Sequence, residues 1–569
     1  MSTDVVLWVA GRLRALAPRR SELTAMRRSP HRDLVAGLTV GVVALPLALG
    51  FGISSGMGAS AGLVTAIVAG VVAAVLGGSN LQVSGPTGAM TVVLIPIIAA
   101  FGAPGVLVVG LLAGLLLLVM AVAGLGAYAR FIPLPVIEGF TVGIAVIIGL
   151  QQVPNALGTP GTGGHVYSTA GSAALGWLAD PQWWDAGLTL GVVLLMLVVA
   201  RVRPAVPGSL LAVVLATGLA AILHLDVARI GALPARLPAP HLPAVPWAHL
   251  PDLLVPAMAV AVLAALESLL SASVADAMSV SERHDPDREL LGQGFANLVS
   301  PLFGGLPATG AIARTAVNVR SGGTSRLAAV LHAVFLLLVV LLLAPVVGHI
   351  PLAALAGVLI ATAIRMVEIG SVRTLVRAGR GEAVVLVGTA FATVALDLVI
   401  AVVLGVAAAG VLALRRMAKT AVLEQVPVSD TGPDSHGQEE HALLDEHIVA
   451  YRLDGPLFFA AAHRALLELS TLSDVRVVIL RMSGLAAVDV TGASLLADTI
   501  TRLEAHGITV MLSGVRDQHS GVLGSLGVYA SLAHEGHLFT STPDAIRHAR
   551  LHVARVHHPA VPVAAAPPR

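Results

Sequence analysis

Cysteine is absent from this sequence of 569 residues, and charged residues make up only 12% of it. Without a thiol, the chain forms no disulfide, no thiolate metal site and no cysteine nucleophile. The 20 histidines are scattered without the spacing of metal ligands. A formal net charge of +1 gives no reason to expect nucleic-acid binding. Soluble proteins are usually about a quarter charged, so most of this chain is predicted to lie in lipid.

The sequence contains several long apolar segments. Hydrophobic residues make up 56% of the sequence, and its mean hydropathy is +0.87. A helix that crosses a bilayer needs about 20 apolar residues. Runs of this kind include 34–51, 106–125, 188–200, 327–347 and 383–414, and the last is long enough for two passes. Roughly 30 mixed residues precede the first run, which favours an uncleaved first span over a signal peptide.

The distribution of charge predicts orientation and domain boundaries. Residues 1–33 carry seven arginines against three acidic residues, so we expect a cytoplasmic N-terminal segment. Residues 34–416 form the predicted transmembrane domain, with an even number of spans and a best count of about fourteen. Residues 417–446 read as a linker, 447–550 as a soluble α/β domain and 551–569 as a disordered tail.

A repeated tetrapeptide indicates an internal duplication. Thr87-Gly88-Ala89-Met90 returns 222 residues later as Thr309-Gly310-Ala311-Ile312, each time after glycine and proline. The same offset predicts repeats over 34–223 and 253–416. Seven spans in each repeat is an odd number, so the second repeat enters the membrane from the opposite side. Inverted repeats of this kind place a binding site where they meet, near the middle of the bilayer.

The two tetrapeptides are predicted to begin helices at that site. Free backbone N–H groups and the helix dipole make helix N-termini natural anion sites. Glycine in both copies lets the backbone approach a ligand closely. Thr87 and Thr309 are expected to cap these helices, and the alternative is that both threonines serve only as caps and packing residues.

Only the second repeat places charged residues at the predicted site. Glu267 lies in an apolar span, where an ionisable side chain usually faces water or the protein interior. Ser271 is four residues on, on the same helical face, and the pair could hold Na⁺ or accept a proton. The alternative for Glu267 is a structural hydrogen bond to a neighbouring helix. Arg314 follows the second tetrapeptide and is expected either beside the anion or paired with Glu267.

Four membrane segments and the soluble domain resemble the SulP family of anion transporters, relatives of the animal solute-carrier anion exchangers and prestin. The first, third, eighth and tenth spans carry AGLTVGVVALPLALGFG, QVSGPTGAMTVV, ALESLLSASVADAMS and LFGGLPATGAIARTAVNVRSGG. The C-terminal part resembles a STAS domain through VVILRMSGLAAVDVTGASLLADTITRLEAHG. Together these segments extend over nearly the whole chain.

The resemblance implies a fold and a set of site residues. The fold is an α-helical membrane protein of two inverted seven-helix repeats, with a core domain of spans 1–4 and 8–11 and a gate domain of spans 5–7 and 12–14. The anion is held between the N-termini of spans 3 and 10. The implied anion-binding residues are Phe51, Thr87, Gly88, Ala89, Thr309, Gly310, Ala311 and Arg314. The implied coupling-cation residues are Glu267, Ser271, Gly310, Ala311 and Ile312.

Some positions depart from the family pattern. Glu267 and Ser271 stand where sodium-coupled bicarbonate members place Asp and Thr, and Ile312 offers no side-chain oxygen. These differences favour H⁺ over Na⁺ as the coupling ion, with no other metal and no cofactor expected. In the STAS domain, Thr491 stands where anti-anti-sigma-factor relatives are phosphorylated, and the alternative is a plain N-cap.

These observations predict a transporter rather than an enzyme, since the spans contain no nucleophile–base pair or metal cluster. We expect a secondary carrier of sulfate, bicarbonate or dicarboxylates in the inner membrane, coupled to H⁺ or Na⁺. The STAS domain is expected in the cytoplasm, where it could bind a protein partner, and a homodimer is expected from the resemblance. The alternatives are an uncoupled, channel-like anion conductor and a membrane sensor that signals through the STAS domain.

Overall fold

The chain forms two compact units, Met1–Ala409 and Gly410–Arg569. The computed structural model describes residues 24, 26–131, 133–163, 165–203, 206–244, 249–279, 283–396, 398–420, 422–425, 447–457, 475–532 and 536–557. Most of the predicted N-terminal segment, linker and tail therefore lies outside the described residues.

The first half of the membrane unit is helical apart from one short strand. Its elements are α1 (Pro30–Ser54), α2 (Ala59–Leu76), β1 (Ser84–Gly85), α3 (Gly88–Val122), α4 (Leu134–Leu157), α5 (Val166–Ala179), α6 (Trp183–Val202) and α7 (Gly208–Ile222). Helix α3 is broken at Gly102, whose φ of 65° is left-handed and is reached easily only by glycine. Pro104 lies two residues further on and cannot donate a helical hydrogen bond.

The second half repeats this order of elements. It consists of α8 (Leu250–Met278), α9 (Pro286–Val299), β2 (Thr309–Gly310), α10 (Ile312–Arg320), α11 (Arg326–Val347), α12 (Leu352–Met366), α13 (Ile369–Ala378), α14 (Arg380–Ala395) and α15 (Leu398–Thr420). The two parts of the broken α3 take the places of α10 and α11. Strands β1 and β2 pair in antiparallel register, as inverted repeats require.

The packing of the helices separates two groups. Helices α1–α3 pack against α8, α9 and α11, whereas α4 packs against α12 and α14, and α6 packs against α12. This division corresponds to the core and gate groups that the resemblance implied. Glycines permit close contact within the core: a Cβ atom on Gly114 of α3 would lie 2.8 Å from the carbonyl oxygen of Gly294 in α9.

Among the described residues, eight helices are long and apolar enough to cross a membrane, and two shorter apolar helices accompany them. The chain is thus a multi-pass helical membrane protein. The count of about fourteen spans stays a prediction. Helices α9 and α10, of 14 and 9 residues, are too short to be recognised as spans by length and hydropathy.

The second unit is an α/β domain. Its sheet has the order β3 (Val422–Gln425), β4 (Ile448–Leu457), β5 (Val477–Arg481), β7 (Thr509–Ser513) and β8 (Leu538–Phe539), with β6 (Leu485–Val488) paired to the end of β4. All neighbours are parallel except β3 and β4. The described helices are α16 (Val490–Ala505), α17 (Asp517–Ser525), α18 (Val528–Leu532) and α19 (Thr542–His557).

Two boundaries of this unit differ from the sequence prediction. Residues 422–425, within the predicted linker, form an edge strand because their backbone pairs with residues 451–454 of β4. Helix α19 continues to His557, past the predicted start of the disordered tail, because Ala545 and Ala549 pack into a small apolar cluster against the sheet.

Candidate functional site

The two repeats meet at the pair of strands β1 and β2. Ser84 lies opposite Gly310 and Gly85 lies opposite Thr309. The N–H group of Ala311 extends the pairing by donating to the carbonyl of Val83 at 2.9 Å. A helix begins within three residues of the end of each strand, so the N-termini of α3 and α10 flank the strand pair. These are the two helix starts that the repeated tetrapeptide predicted.

Thr87 caps helix α3. Its hydroxyl accepts from the N–H of Met90 at 3.4 Å and donates to the Oε2 atom of Glu267 at 2.7 Å. The first intrahelical bond runs from the N–H of Thr91 to the carbonyl of Thr87. The N–H groups of Gly88 and Ala89 therefore precede the helical ladder and are oriented for an external acceptor.

Gly88 lies in a narrow gap between two other helices. A Cβ atom at this position would overlap the Cδ1 atom of Ile148 in α4 and would lie 3.3 Å from the Cε1 atom of Phe51 in α1. Phe51 is thus placed beside the start of α3, as the resemblance implied. The absence of a side chain at residue 88 leaves the helix start open where the core meets the gate.

The predicted capping role of Thr309 is wrong. Thr309 belongs to β2, and helix α10 begins at Ile312 with Ala311 as its N-cap. The Thr309 hydroxyl lies 3.0 Å from the Ser268 hydroxyl and donates to the carbonyl of Ala264 at 3.2 Å. Extended pairing holds the backbone straight until residue 311, so the helix starts at Gly88 and Ile312 are 224 residues apart. The 222-residue sequence offset is therefore not the structural one.

Two serines of helix α8 form hydrogen bonds to strand β2 and to helix α10. The Ser268 hydroxyl accepts from the N–H of Gly310 at 2.9 Å. One turn later, the Ser271 hydroxyl lies 2.9 Å from that of Thr315, which accepts from the N–H of Val83 at 3.0 Å. Ser271 therefore bonds to α10 and, through Thr315, to the chain that precedes β1. These bonds hold Glu267, on the same helix, close to both helix starts.

Arg314 brings a buried positive charge to the centre of the site. The side chain is 2% exposed, and its NH2 group donates to the carbonyl of Pro86 at 2.6 Å. Within the described part of the chain, the NH1 group has no hydrogen-bond partner. A Cβ atom on Gly85 would lie 2.6 Å from NH1, so only glycine leaves room for the guanidinium there. A cation beside two helix N-termini makes this site electropositive.

Glu267 and Arg314 do not form the ion pair that was considered as one alternative. Among the described residues, Glu267 accepts a hydrogen bond from Thr87, whereas Arg314 donates to the backbone carbonyl of Pro86. The bond to Thr87 is the structural contact that the sequence analysis offered as an alternative role for Glu267. Glu267 is only partly buried, and Ile312 is 39% exposed, so the site opens on this side.

The described residues contain no group of three or more His, Cys, Asp or Glu side chains that could hold a metal ion. In the STAS-like unit, Thr491 is exposed as the second residue of α16, and the side chain of Asp489 caps that helix by accepting from the N–H of Gly492 at 2.7 Å. Asp489 thus fills the capping role, and phosphorylation of Thr491 stays a prediction.

Sequence reasoning missed three polar residues at the site, namely Gln82, Ser268 and Thr315. All three are buried. Hydroxyl groups in apolar helices usually bond to their own backbone four residues earlier, so neither Ser268 nor Thr315 stood out. Their positions directly after Glu267 and Arg314 were the only signal in the sequence.

Profiles of known families match both units of the chain. Residues 31–389 match the sulfate permease family, and residues 442–545 match the STAS domain. A relative from Bacillus subtilis, "Putative sulfate transporter YvdB", is 37% identical over 523 residues, which cover 89% of this chain and 96% of the relative. The bicarbonate transporter BicA of Synechocystis is 31% identical over 539 residues, covering 92% and 95%.

Solved structures show the same architecture. The transmembrane domain of a cyanobacterial bicarbonate transporter BicA has a TM-score of 0.59 and 33% identity, and covers 67% of this chain and 97% of that domain. The structure of SLC26A9 has a TM-score of 0.75, and covers 94% of this chain and 92% of that protein. At 18% identity the second match supports the fold alone.

Proposed function

Because this chain belongs to the sulfate permease family, we propose that it is a secondary active transporter of a small anion of the sulfate, bicarbonate or dicarboxylate class. Relatives that carry the names of sulfate and bicarbonate transporters extend over nearly its whole length. The family consists of transporters, which agrees with the expectation that the chain is not an enzyme.

The observation that carries the proposal is the buried guanidinium of Arg314 between two helix starts. A buried cation is costly unless it is paired, and one of its terminal nitrogens has no hydrogen-bond partner among the described residues. A bound anion would supply the missing acceptor and the missing charge. The helix dipoles of α3 and α10 favour the same ligand.

We place the anion against the start of α3 and beside Arg314. The N–H groups of Gly88 and Ala89 donate to it, while the ring of Phe51 closes one side. In the second repeat, the N–H groups of Gly310 and Ala311 are already engaged by Ser268 and Val83. Thr309, Gly310 and Ala311 therefore form a wall of the site, and the first turn of α10 supplies further N–H groups.

Glu267 is the proposed coupling group. As a carboxylate it repels an incoming anion, and binding of H⁺ or Na⁺ neutralises that charge. Coupling to H⁺ requires Glu267 alone. Coupling to Na⁺ requires more oxygen ligands, drawn from the Ser271 hydroxyl and the carbonyls of Gly310, Ala311 and Ile312. In either case the cation and the anion stabilise each other across the site.

The proposed transport step is alternating access. The core helices α1–α3 and α8–α11 would move against the gate helices α4–α7 and α12–α15, and would carry the anion past the barrier. We further propose that the protein lies in the inner membrane as a homodimer, with residues 1–33 and the STAS domain on the cytoplasmic side.

Two other functions make different predictions. A channel-like conductor using the same site would show fast, uncoupled, electrogenic flux. A membrane sensor would show no flux, and anion binding would instead change how the STAS domain binds a protein partner. The close contact of Gly88 with the gate helix α4 favours the transporter, because it puts the proposed anion site where core and gate meet.

Uptake by the purified protein in proteoliposomes tests the proposal. Sulfate, bicarbonate and a dicarboxylate such as succinate are each supplied outside, with and without an inward H⁺ gradient and an inward Na⁺ gradient. We expect saturable uptake of one anion class and stimulation by one gradient. Equal flux with and without both gradients would favour the conductor, and no flux of any anion would favour the sensor.

A further inference from the structure

Gln82 is buried at the site without a hydrogen-bond partner for its side chain. It is 5% exposed, and within the described residues neither its Oε1 nor its Nε2 atom is bonded. A buried carboxamide pays the full desolvation penalty when it is left unpaired. An unpaired buried group in a native protein therefore points to a function or to an ordered water or ion.

The surroundings of Gln82 fix its place. Its neighbours are held on both sides, since the carbonyl of Leu81 accepts from Asn318 at 2.7 Å and the N–H of Val83 donates to Thr315 at 3.0 Å. The carboxamide packs on Gly310, where a Cβ atom would overlap the Gln82 Nε2 atom. The same Cβ atom would lie 2.9 Å from the Cα atom of Ser268, the residue after Glu267.

These contacts place the carboxamide beside the cation site assigned to α8 and the stretch from Gly310 to Ile312. That site is short of side-chain oxygens, because Ile312 has none and the Ser271 hydroxyl is engaged by Thr315. The carbonyl oxygen of a glutamine is a good ligand for a hard cation. Because both ends of the Gln82 amide are unpaired, its oxygen can turn towards the site without breaking a hydrogen bond.

We propose that the Oε1 atom of Gln82 is a ligand of a Na⁺ ion that binds together with the Glu267 carboxylate. The inference rests on the proposed function and deepens it. It names Na⁺ as the coupling ion, where the departures from the family pattern favoured H⁺, and it adds a ligand from the first repeat. Strand β1 begins two residues after Gln82, so the bound ion would link α8 to the chain that leads into helix α3.

Two other buried glutamines, Gln293 and Gln152, differ from Gln82 because their amide nitrogens are bonded. The Nε2 atom of Gln293 donates to Ser84 at 2.7 Å and to Glu289 at 3.0 Å. Gln152, in α4, donates from Nε2 to the hydroxyl of Ser54 at 3.0 Å. Gln152 therefore provides a matched control, because it is a buried glutamine whose amide is already bonded.

Binding of Na⁺ alone tests the inference. The full-length protein in detergent is heated in sodium gluconate or in choline gluconate at the same total concentration, because a ligand that binds only the folded state raises the Tm. We expect sodium to raise the Tm of the wild type. The half-maximal Na⁺ concentration should rise at least tenfold in Q82M, which keeps the length of the side chain and removes its oxygen. Q82E, which keeps an oxygen, and Q152M should keep the sodium response.

Three results would overturn the inference: no sodium response in the wild type, a half-maximal concentration in Q82M within twofold of the wild type, or an equal loss in Q152M. An unchanged Q82M would assign Gln82 to an ordered water. If Q82M does not give a monodisperse protein, Q82N replaces it, since it withdraws the oxygen by one methylene and should also weaken the response. Anion uptake is measured separately, so a protein that binds Na⁺ but transports no anion would contradict only the proposed function.

Discussion

The hydroxyl of Thr87 donates a hydrogen bond of 2.7 Å to the Oε2 atom of Glu267, and the same hydroxyl accepts from the N–H of Met90 at 3.4 Å. One side chain thus joins the carboxylate of α8 to the first turn of α3. A carboxylate can only accept, so it fixes the direction in which the Thr87 proton points. Neutralising Glu267 with H⁺ or Na⁺ is expected to weaken this charge-assisted bond and, through it, to alter the cap of α3.

Removing this hydroxyl should weaken both the helix start and the coupling. T87A loses the N-cap, which costs about 0.5–2 kcal/mol of stability. We expect the anion concentration for half-maximal uptake to rise roughly tenfold, equivalent to about 1.4 kcal/mol. T87S keeps the hydroxyl and serves as the control. Uptake in proteoliposomes and the Tm are measured for both variants, and equal behaviour of T87A and T87S would refute the role of the hydroxyl.

Neutralising Glu267 should abolish coupling while leaving a folded protein. E267Q keeps the size of the side chain and can still accept from Thr87, but it carries no charge for H⁺ or Na⁺ to neutralise. The ratio of uptake with a cation gradient to uptake without it should fall to about one, because the linkage between the two ligands is removed.

The control for E267Q is a change at Glu138 of α4. The Glu138 carboxylate accepts a hydrogen bond of 2.6 Å from the Ser371 hydroxyl and does not belong to the strand-pair site. E138Q removes an acidic charge from a membrane helix as E267Q does, and we expect it to keep its response to both gradients. A response to H⁺ and Na⁺ gradients in E267Q equal to that of the wild type would exclude Glu267 as the coupling group.

The fold was largely predictable because composition and periodicity determine it. The apolar runs predicted helices that cross the membrane, and the stretch 383–414 was predicted to make two passes, which the structure divides into α14 and α15. The soluble domain was also found, because Val477–Arg481 and Thr509–Ser513 are buried parallel strands with continuous apolar sequence. The matches to the sulfate permease family and the STAS domain confirm family membership, and the similarity to a solved relative confirms the helical membrane fold.

The residues at which helices α3 and α10 begin and are capped were not predictable from the sequence. The identity of Thr87 and Thr309 suggested equivalent caps, yet only Thr87 caps a helix. What differs is the tertiary partner: Ser268 and Val83 engage the backbone of Gly310 and Ala311 and keep it extended. A sequence pattern cannot show which backbone groups a distant helix will bind, and the position of Gln82 beside Gly310 was missed for the same reason.

Removing the buried charge of Arg314 should weaken anion binding more than it disturbs the cation site. A hydrogen bond to a charged group contributes about 1.5–3 kcal/mol, so R314Q is expected to bind the anion roughly 10- to 100-fold more weakly. R314K keeps the positive charge but loses the planar guanidinium group. Its affinity for the anion should lie between those of the wild type and R314Q. Half-maximal anion concentrations in proteoliposomes give the comparison.

The matched control is Arg320, which is exposed at the end of α10. R320Q removes the same charge from the same helix at a solvated position, where its effect is screened. We expect R320Q to transport like the wild type. A loss in R320Q as large as that in R314Q would mean that overall charge, rather than the position of Arg314, determines affinity.

Adding a methyl group at Gly88 should create a steric clash between the core helix α3 and the gate helix α4. The new Cβ atom of G88A would overlap the Cδ1 atom of Ile148 and lie 2.9 Å from its Cγ1 atom. Overpacking of this kind costs about 1–3 kcal/mol. I148A alone removes both atoms from a buried side chain and should cost about 2–5 kcal/mol. The double variant G88A/I148A should lose less stability than G88A and I148A lose in total, because the added methyl group fills part of the cavity left by I148A.

Transport by the double variant then separates two roles of Gly88. If the closeness of α4 is the only constraint, G88A/I148A should recover both the Tm and the uptake lost in G88A. If the N–H groups of Gly88 and Ala89 bind the anion directly, the Tm should recover while the half-maximal anion concentration stays high, since the methyl group still covers the helix start. We expect the second result. If G88A takes up the anion at the wild-type rate, then neither the anion nor the moving gate helices pass the start of α3 at residue 88.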